Sequence, residues 1–201
     1  MTNIKTVKVA AIQFSSELCE TEKNIEKVTK LLEEASKNDV KIAVLPEACI
    51  TGYVSQDMKT NWRIKGRPIE KQFKNEIDLE PYAETVPGKS TKYFCELSKK
   101  LKMYITIPIL EIETKEEQIE REKQKEATTS YFTNIGPRFY NTLCLASPEG
   151  KLVGHYRKIF PWWYPEKSYA SSGKVPVIFD TEYGRVGFAI CYDIHNILRI
   201  K

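Results

Sequence analysis

The sequence has no long apolar segment. None of the apolar runs in its 201 residues approaches the roughly 18 residues that a membrane span requires. The first five residues include no apolar signal region, so a cytosolic, cytoplasmic protein is expected. Gly/Ser-rich linkers, low-complexity tracts and internal repeats are also missing, and nothing in the composition marks a domain boundary.

Histidine is scarce, and the cysteines are odd in number. The two histidines and five cysteines include no CxxC pair, so a zinc ribbon and a disulfide framework are both poor interpretations. The net charge of +4 comes from 31 basic and 27 acidic residues spread along the chain, which does not indicate nucleic-acid binding. The composition, 41% hydrophobic and 29% charged, is typical of a globular protein.

The first part of the chain alternates strand-like and helix-like segments. Residues 7–13, VKVAAIQ, and residues 41–46, KIAVLP, have the apolar character of buried strands. Between them, apolar residues recur at helical spacing over 25–35, after Thr21 as a candidate N-cap. This order predicts a crossover unit of an α/β layer, with Glu47 directly after its second strand.

The rest of the chain alternates strand-like runs with turns. A helix is expected after Pro87-Gly88, and a strand over 103–110, MYITIPIL. Residues 113–126 include ten charged residues in fourteen and predict a solvated helix or hairpin arm. Two hairpins are expected: FYNTLCLA with KLVGHYRK around 147–150, and VPVIF with RVGFAI around 183–184.

Three polar residues end or interrupt runs that should be buried. Glu47 follows IAVLP, Lys158 follows LVGHYR, and Cys191 follows VGFAI. A carboxylate and an ammonium are costly to bury unpaired, so placing both beside one cysteine would keep each of them ionised. The cysteine could then attack a carbonyl-like carbon, while the carboxylate takes its proton and the lysine stabilises the oxyanion.

The sequences around these residues resemble, in the same order, the three signature segments of the nitrilase superfamily of carbon–nitrogen hydrolases. The segments are LPEACITGY, HYRKIFPWWYPE and GFAICYDIH, and the resemblance extends over residues 7–195, including the YNT…PEG hairpin at 140–150. It implies an α/β protein with a four-layer αββα sandwich. It also implies a catalytic triad of Glu47, Lys158 and Cys191.

The resemblance implies two substrate-binding residues as well. Some family members have a second glutamate eight residues after the lysine, which is Glu166 here. It would orient the substrate and the leaving amine, whereas the alternative is an exposed loop acid. The backbone N–H of Tyr192 would be the second oxyanion donor. Trp162, Trp163 and Tyr164 either line the pocket mouth or only pack the loop.

Each of these residues has a plainer interpretation when it is taken alone. Cys191 could be an inert core thiol, as Cys49 and Cys144 are expected to be. The glutamate and the lysine could be ordinary surface charges. His195, four residues after Cys191, could be an alternative base, but the resemblance assigns that role to Glu47 and leaves His195 a local polar residue. The three ordered segments together favour the functional interpretation.

The implied function is that of a thiol amidohydrolase. It would hydrolyse a non-peptide C–N bond of a small amide, nitrile or N-carbamoyl compound through a cysteine thioester. Cysteine, glutamate, lysine and water complete this chemistry, so no cofactor and no metal are expected. The only expected partners are a small-molecule substrate and further copies of the chain in a homo-oligomer, because family members associate through a helical face beside the nucleophile segment.

The end of the sequence departs from the family pattern. Family members continue after the nucleophile with a helix, several strands and another helix, whereas this sequence ends with NILRIK at Lys201. The expectation is a single domain over residues 1–201 that lacks the C-terminal strands, so that the second half of the sandwich is incomplete. The alternative function is therefore a catalytically silent truncated fragment, acting at most as an interaction partner of a full-length relative.

Overall fold

The described part of the chain has nine strands and three α-helices. The computed structural model describes residues 6–67, 70–123, 136–163 and 165–199. Along the chain the elements are β1 (Val9–Ala11), α1 (Thr21–Lys37), β2 (Ile42–Val44), β3 (Thr60–Arg63), β4 (Asn75–Asp78), α2 (Lys89–Leu101), β5 (Tyr104–Ile112), α3 (Lys115–Lys123), β6 (Phe139–Ala146), β7 (Leu152–Arg157), β8 (Ile178–Thr181) and β9 (Gly184–Gly187). Three 3₁₀ helices cover Glu80–Tyr82, Glu166–Ser168 and Cys191–Arg199.

A five-stranded mixed sheet organises the described residues. Its spatial order is β1-β2-β5-β6-β7, with β1, β2 and β5 parallel to one another. Strands β5, β6 and β7 are antiparallel neighbours. The unit β1-α1-β2 is the predicted crossover, and β6-β7 is the first predicted hairpin. Gly150 closes its turn with φ of 79°, a conformation that glycine adopts without steric cost.

The main core lies between this sheet and the helices α1 and α2. Val28 and Leu32 on α1 and Phe94 on α2 are at most 1% exposed, and they pack against Ile105 and Ile107 of β5. Burying each such side chain contributes about 1.5–3 kcal/mol. This packing makes the sheet a rigid support for the loops that leave its strand ends.

The opposite face of the sheet is covered in part by the second predicted hairpin, β8-β9. Phe179 and Val186 from the hairpin pack on Ile42 and Leu145 of the sheet. The expected αββα sandwich has two large sheets. The described residues have one five-stranded sheet with two two-stranded ones, β3-β4 and β8-β9.

Some local predictions are wrong. The cap of α1 is Glu20 and not Thr21, which is the first helical residue. The strand predicted over 7–13 is an edge strand of three residues, and Val9 is 52% exposed because the hairpin β8-β9 covers that face of the sheet only in part.

The charged segment forms the predicted solvated helix, α3, and none of its residues is buried. One residue of the segment departs from prediction: Glu113, just before the helix, is 5% exposed, and its carboxylate pairs with Arg121 at 3.0 Å. Residues 124–126 lie outside the described residues. Among the described helices, none is long and apolar enough to cross a bilayer.

Candidate active site

Five separate segments of the chain contribute side chains to the site, and three of them belong to or follow strands of the central sheet. Glu47 follows β2, Asn141 lies on β6, and Lys158 follows β7 directly. Glu166 and Cys191 each begin a 3₁₀ helix. Because the strands are held in one sheet by backbone hydrogen bonds, residues far apart in the sequence are brought together at its edge.

Lys158 joins the two predicted glutamates. Its Nζ lies 2.7 Å from Oε1 of Glu47 and 2.7 Å from Oε2 of Glu166, and the residue is 1% exposed. Burial alone would lower the pKa of Lys158, but the two carboxylates raise it above its ordinary value. The ammonium is therefore charged throughout the neutral range, as an oxyanion-stabilising group must be.

Glu166 is a buried acid and not an exposed loop residue. It is 0% exposed, and its Oε2 also accepts a 2.5 Å hydrogen bond from the backbone N–H of Trp162. Its carbonyl oxygen accepts from the N–H of Ala170 at 2.7 Å. The buried side chain of Asn61 anchors the same loop, because its Nδ2 donates a hydrogen bond to Ser168 Oγ at 2.8 Å. A buried carboxylate with this many donors is held in one orientation.

Asn141 belongs to the site, although it was not predicted as a site residue. Its Nδ2 donates to Oε1 of Glu47 at 2.6 Å and to Oε1 of Glu166 at 2.6 Å. The signal was available, since Asn141 lies in the YNT segment that supports the family resemblance. Strand periodicity alone treats it as one more residue of β6.

Cys191 is the exposed cysteine beside this charge cluster. Burial raises the pKa of its thiol, and the charge of Glu47 and a hydrogen bond to it raise that pKa further, while Lys158 opposes them. Cys49 and Cys144 lie in the core, as expected. Burial raises the pKa of Cys49 to about 12 and also raises that of Cys144, so neither is a competing nucleophile.

The predicted strand-to-helix turn at Cys191 is partly wrong. Strand β9 ends at Gly187, three residues earlier than the apolar run does, and the helix is 3₁₀ rather than α. Cys191 itself has φ of 45°, in the left-handed region that costs a non-glycine residue of order 1–3 kcal/mol. In this conformation the side chain points in a different direction from the one it would have in a regular strand or helix.

Asp193 fixes the Cys191 turn to the strand that carries Lys158. It is 0% exposed, and Oδ2 accepts from the hydroxyl of Tyr156 at 2.7 Å and from the N–H of Ile190 at 2.9 Å. Oδ1 accepts from the N–H of Phe160 at 2.8 Å. Tyr156 and Phe160 flank Lys158 on either side, so one carboxylate sets the nucleophile turn against the lysine.

The remaining predicted residues lie around this centre. The ring of Tyr192 packs against His195 at 5.5 Å between centroids, and His195 is exposed. Trp163 is 62% exposed, as a residue at a pocket mouth would be, and Tyr164 lies outside the described residues. No cluster of three or more metal-ligating side chains was found among the described residues.

Comparison with known proteins places the chain in a family. The family model for carbon–nitrogen hydrolases matches residues 8–199. The chain belongs to the carbon–nitrogen hydrolase family. The predicted resemblance to the nitrilase superfamily is thereby confirmed.

Curated relatives of this carbon–nitrogen hydrolase are similar at a distance. It is 27% identical over 189 residues to a nitrilase of Pyrococcus abyssi, covering 93% of this chain and 56% of that protein. It is 28% identical over 200 residues to omega-amidase NIT2 of Bos taurus, covering 94% of this chain and 56% of that protein. The chain thus spans about half the length of the curated relatives that it matches.

Solved structures confirm the α/β fold class of the superfamily. Nit3 of Saccharomyces cerevisiae, a member of branch 10 of the nitrilase superfamily, superposes with a TM-score of 0.61 at 24% identity, over 94% of this chain and 56% of that one. XC1258 of Xanthomonas campestris, a CN-hydrolase superfamily protein, gives a TM-score of 0.65 at 17% identity, over 94% of this chain and 54% of that one.

Proposed function

We propose that the protein takes part in the hydrolysis of a small amide as a thiol amidohydrolase, with Glu47, Lys158 and Cys191 as its catalytic residues. One observation carries this proposal: Lys158 is buried between two carboxylates beside the exposed Cys191. Burying charged groups costs several kcal/mol of desolvation, and good pairing only offsets this cost. A buried ion cluster therefore adds little to stability, and its presence indicates a function.

The first half of the reaction is acylation. The Cys191 sulfur forms a bond to the amide carbon, and its proton passes to Glu47. The negative charge that develops on the substrate oxygen is stabilised by Lys158 and by the backbone N–H of Tyr192. The C–N bond then breaks, the proton on Glu47 moves to the departing nitrogen, and ammonia or an amine leaves a thioester behind.

The second half is hydrolysis of the thioester. Water attacks the thioester carbon while Glu47 takes one of its protons. The C–S bond breaks, the carboxylic acid is released, and the proton on Glu47 returns to the Cys191 sulfur. Glu166 orients Lys158 and, in this proposal, helps to position the substrate amide.

The relatives include omega-amidases, one of which is 28% identical to this chain. For this reason we favour an amide as the substrate over a nitrile or an N-carbamoyl compound. All three substrate classes remain open to test. A homo-oligomer remains a proposal too, as does the alternative of a silent fragment that binds a full-length relative.

The test is covalent capture of the nucleophile. The protein is treated at pH 7.5 with a thiol-directed electrophile, or with small amides, nitriles and N-carbamoyl compounds, and the adduct is located by mass spectrometry. Modification at Cys191 with substrate-dependent protection is the expected result. A protein that labels at Cys49 or Cys144 and leaves Cys191 untouched would refute the assignment.

A further inference from the structure

We propose that Asn141 selects Oε2 of Glu47 as the atom that takes the proton of Cys191. This makes Asn141 a positioning residue, and the inference rests on the proposed function above. Oε1 of Glu47 already accepts two hydrogen bonds, from Asn141 at 2.6 Å and from Lys158 at 2.7 Å. A carboxylate oxygen has two lone pairs, so both of those on Oε1 are occupied and Oε2 is left for the thiol.

Asn141 also separates the roles of the two glutamates. Glu166 has donors on both oxygens: Asn141 on Oε1 at 2.6 Å, and Lys158 at 2.7 Å and the Trp162 N–H at 2.5 Å on Oε2. Both oxygens of Glu166 are therefore occupied by donors, whereas Glu47 keeps Oε2 open to accept the proton of the thiol.

An amide suits this position better than a second cation would. Its NH₂ group donates one hydrogen to each carboxylate without adding charge. A second ammonium between the glutamates would neutralise both and make Glu47 a weaker base toward the thiol. The neutral donor therefore orders the pair and leaves enough negative charge for proton abstraction.

The fold fixes Asn141 against the lysine. Asn141 is 7% exposed, and its carbonyl accepts the backbone N–H of Lys158 at 2.8 Å. The other titratable groups that face the two carboxylates are Cys191, Tyr53 and Tyr169. Burial raises the pKa of both tyrosines, so they stay neutral and do not compete for the proton.

The experiment follows the pH dependence of Cys191 alkylation by iodoacetamide in the full 201-residue chain, read by mass spectrometry. It needs no turnover. In Asn141→Leu the midpoint of the acidic limb should move upward by roughly one pH unit, because the carboxylates lose a donor and take up a proton more readily. Asn141→Ser, with a shorter hydroxyl donor, should move it less.

The matched control is Asn24→Leu. Asn24 is also a buried asparagine, but its side chain bonds backbone groups: Nδ2 donates to the carbonyls of Glu17 at 2.7 Å and Ile50 at 3.1 Å, and Oδ1 accepts from the Glu17 N–H at 2.8 Å. This variant should lower the melting temperature and leave the midpoint where it is. An unchanged midpoint in both Asn141 variants would overturn the inference, and if Asn141→Leu does not fold, Asn141→Ser decides.

A further variant separates this inference from the proposed function. Glu47→Gln should abolish the acidic limb, since the coupled base is gone. If it does so while the Asn141 variants keep the midpoint of the unaltered protein, the inference is wrong and the proposed function stands. If Glu47→Gln retains the limb, the proposed role of Glu47 is wrong, and the inference falls with it.

Discussion

At the scale of single residues, the site has one positive charge for two negative ones. Lys158 is bound by both Glu47 and Glu166, and the neutral Asn141 supplies the other donors. The cluster is therefore anionic, and the charge of Glu47 raises the pKa of Cys191 rather than lowering it. In the proposed mechanism the thiol therefore needs a base at the moment of attack, and Glu47 is the group proposed for that role.

Replacing the lysine should cost more in rate than in folding. In any active form of the enzyme, Lys158→Gln should lower kcat by about 10²–10³, because oxyanion stabilisation acts mainly in the transition state. Lys158→Arg should restore little of this activity, since a planar guanidinium does not replace a compact ammonium between two carboxylates. Steady-state kinetics with an amide substrate provide the measurement, and a near-normal rate for Lys158→Gln would remove the residue from the mechanism.

At the scale of secondary structure elements, the nucleophile turn depends on one buried carboxylate. In Asp193→Asn one carboxylate oxygen is replaced by an NH₂ group. That group would face an N–H or a hydroxyl that now donates a hydrogen bond to Asp193, so two donors would meet. We expect a loss of about 1–3 kcal/mol in the free energy of unfolding, and slower alkylation of Cys191. Tyr156→Phe removes only one of the three donors and should have a smaller effect on both. Equal effects of the two variants, measured by denaturant unfolding and mass spectrometry, would contradict this account.

A second carboxylate, Glu111, ties together the central strands. It is 1% exposed and accepts from Arg157 Nε at 3.0 Å, His155 Nε2 at 2.9 Å and Thr142 Oγ1 at 2.5 Å. Burial opposes ionisation, but His155 and Arg157 lower the pKa of Glu111 below its ordinary value. The charge therefore stabilises the fold above the unfolded-state pKa, and this contribution is lost as the pH falls through the lower folded-state value.

Glu111→Gln should consequently destabilise the protein at neutral pH. Breaking a buried ion pair by removing one partner costs about 3–5 kcal/mol, since Arg157 would be left without its main counter-ion. The difference in unfolding free energy between the two proteins should shrink as the pH falls below the unfolded-state glutamate pKa of about 4.3, because the folded Glu111 loses its charge as the pH approaches its own lower pKa. Urea unfolding at pH 7 and at pH 3.5 measures this, and a difference that does not depend on pH would exclude the ion-pair explanation.

The sequence predicted the elements better than it predicted the buried polar residues. The crossover, both hairpins and the helix after Pro87-Gly88 were expected from periodicity and turn residues, and all are present. Asn141, Asp193 and Glu111 were missed as functional or structural groups. Asn141 bonds side chains 25 and 94 residues away, Glu111 bonds side chains 31 to 46 residues away, and two of the three donors to Asp193 lie 33 and 37 residues away. Strand and helix periodicity does not indicate such distant pairings, and only the YNT segment drew attention to Asn141.

At the scale of the whole molecule, one face of the central sheet is only partly covered. Val9 on β1 and Val44 on β2 are 52% and 40% exposed, on the face where the β8-β9 hairpin packs on Ile42. The 201-residue chain should therefore bind a hydrophobic dye such as anilinonaphthalene sulfonate.

Replacing both Val9 and Val44 with threonine should reduce the fluorescence of the bound dye. Ile119→Thr on α3 is the control, because Ile119 is also 52% exposed but lies away from this face; an equal reduction in the control would refute the account.

The hydrogen bond between Lys158 and Glu47 closes a loop of 111 residues. Loops of this size have a large entropic cost, and pairings that are distant in sequence form slowly during folding. The β6-β7 hairpin can form early, which leaves Lys158 in place before the strand of Glu47 has docked beside β5. We therefore expect the ion cluster to form late in folding, so that the newly made chain carries the Cys191 thiol for a time without Glu47 beside it.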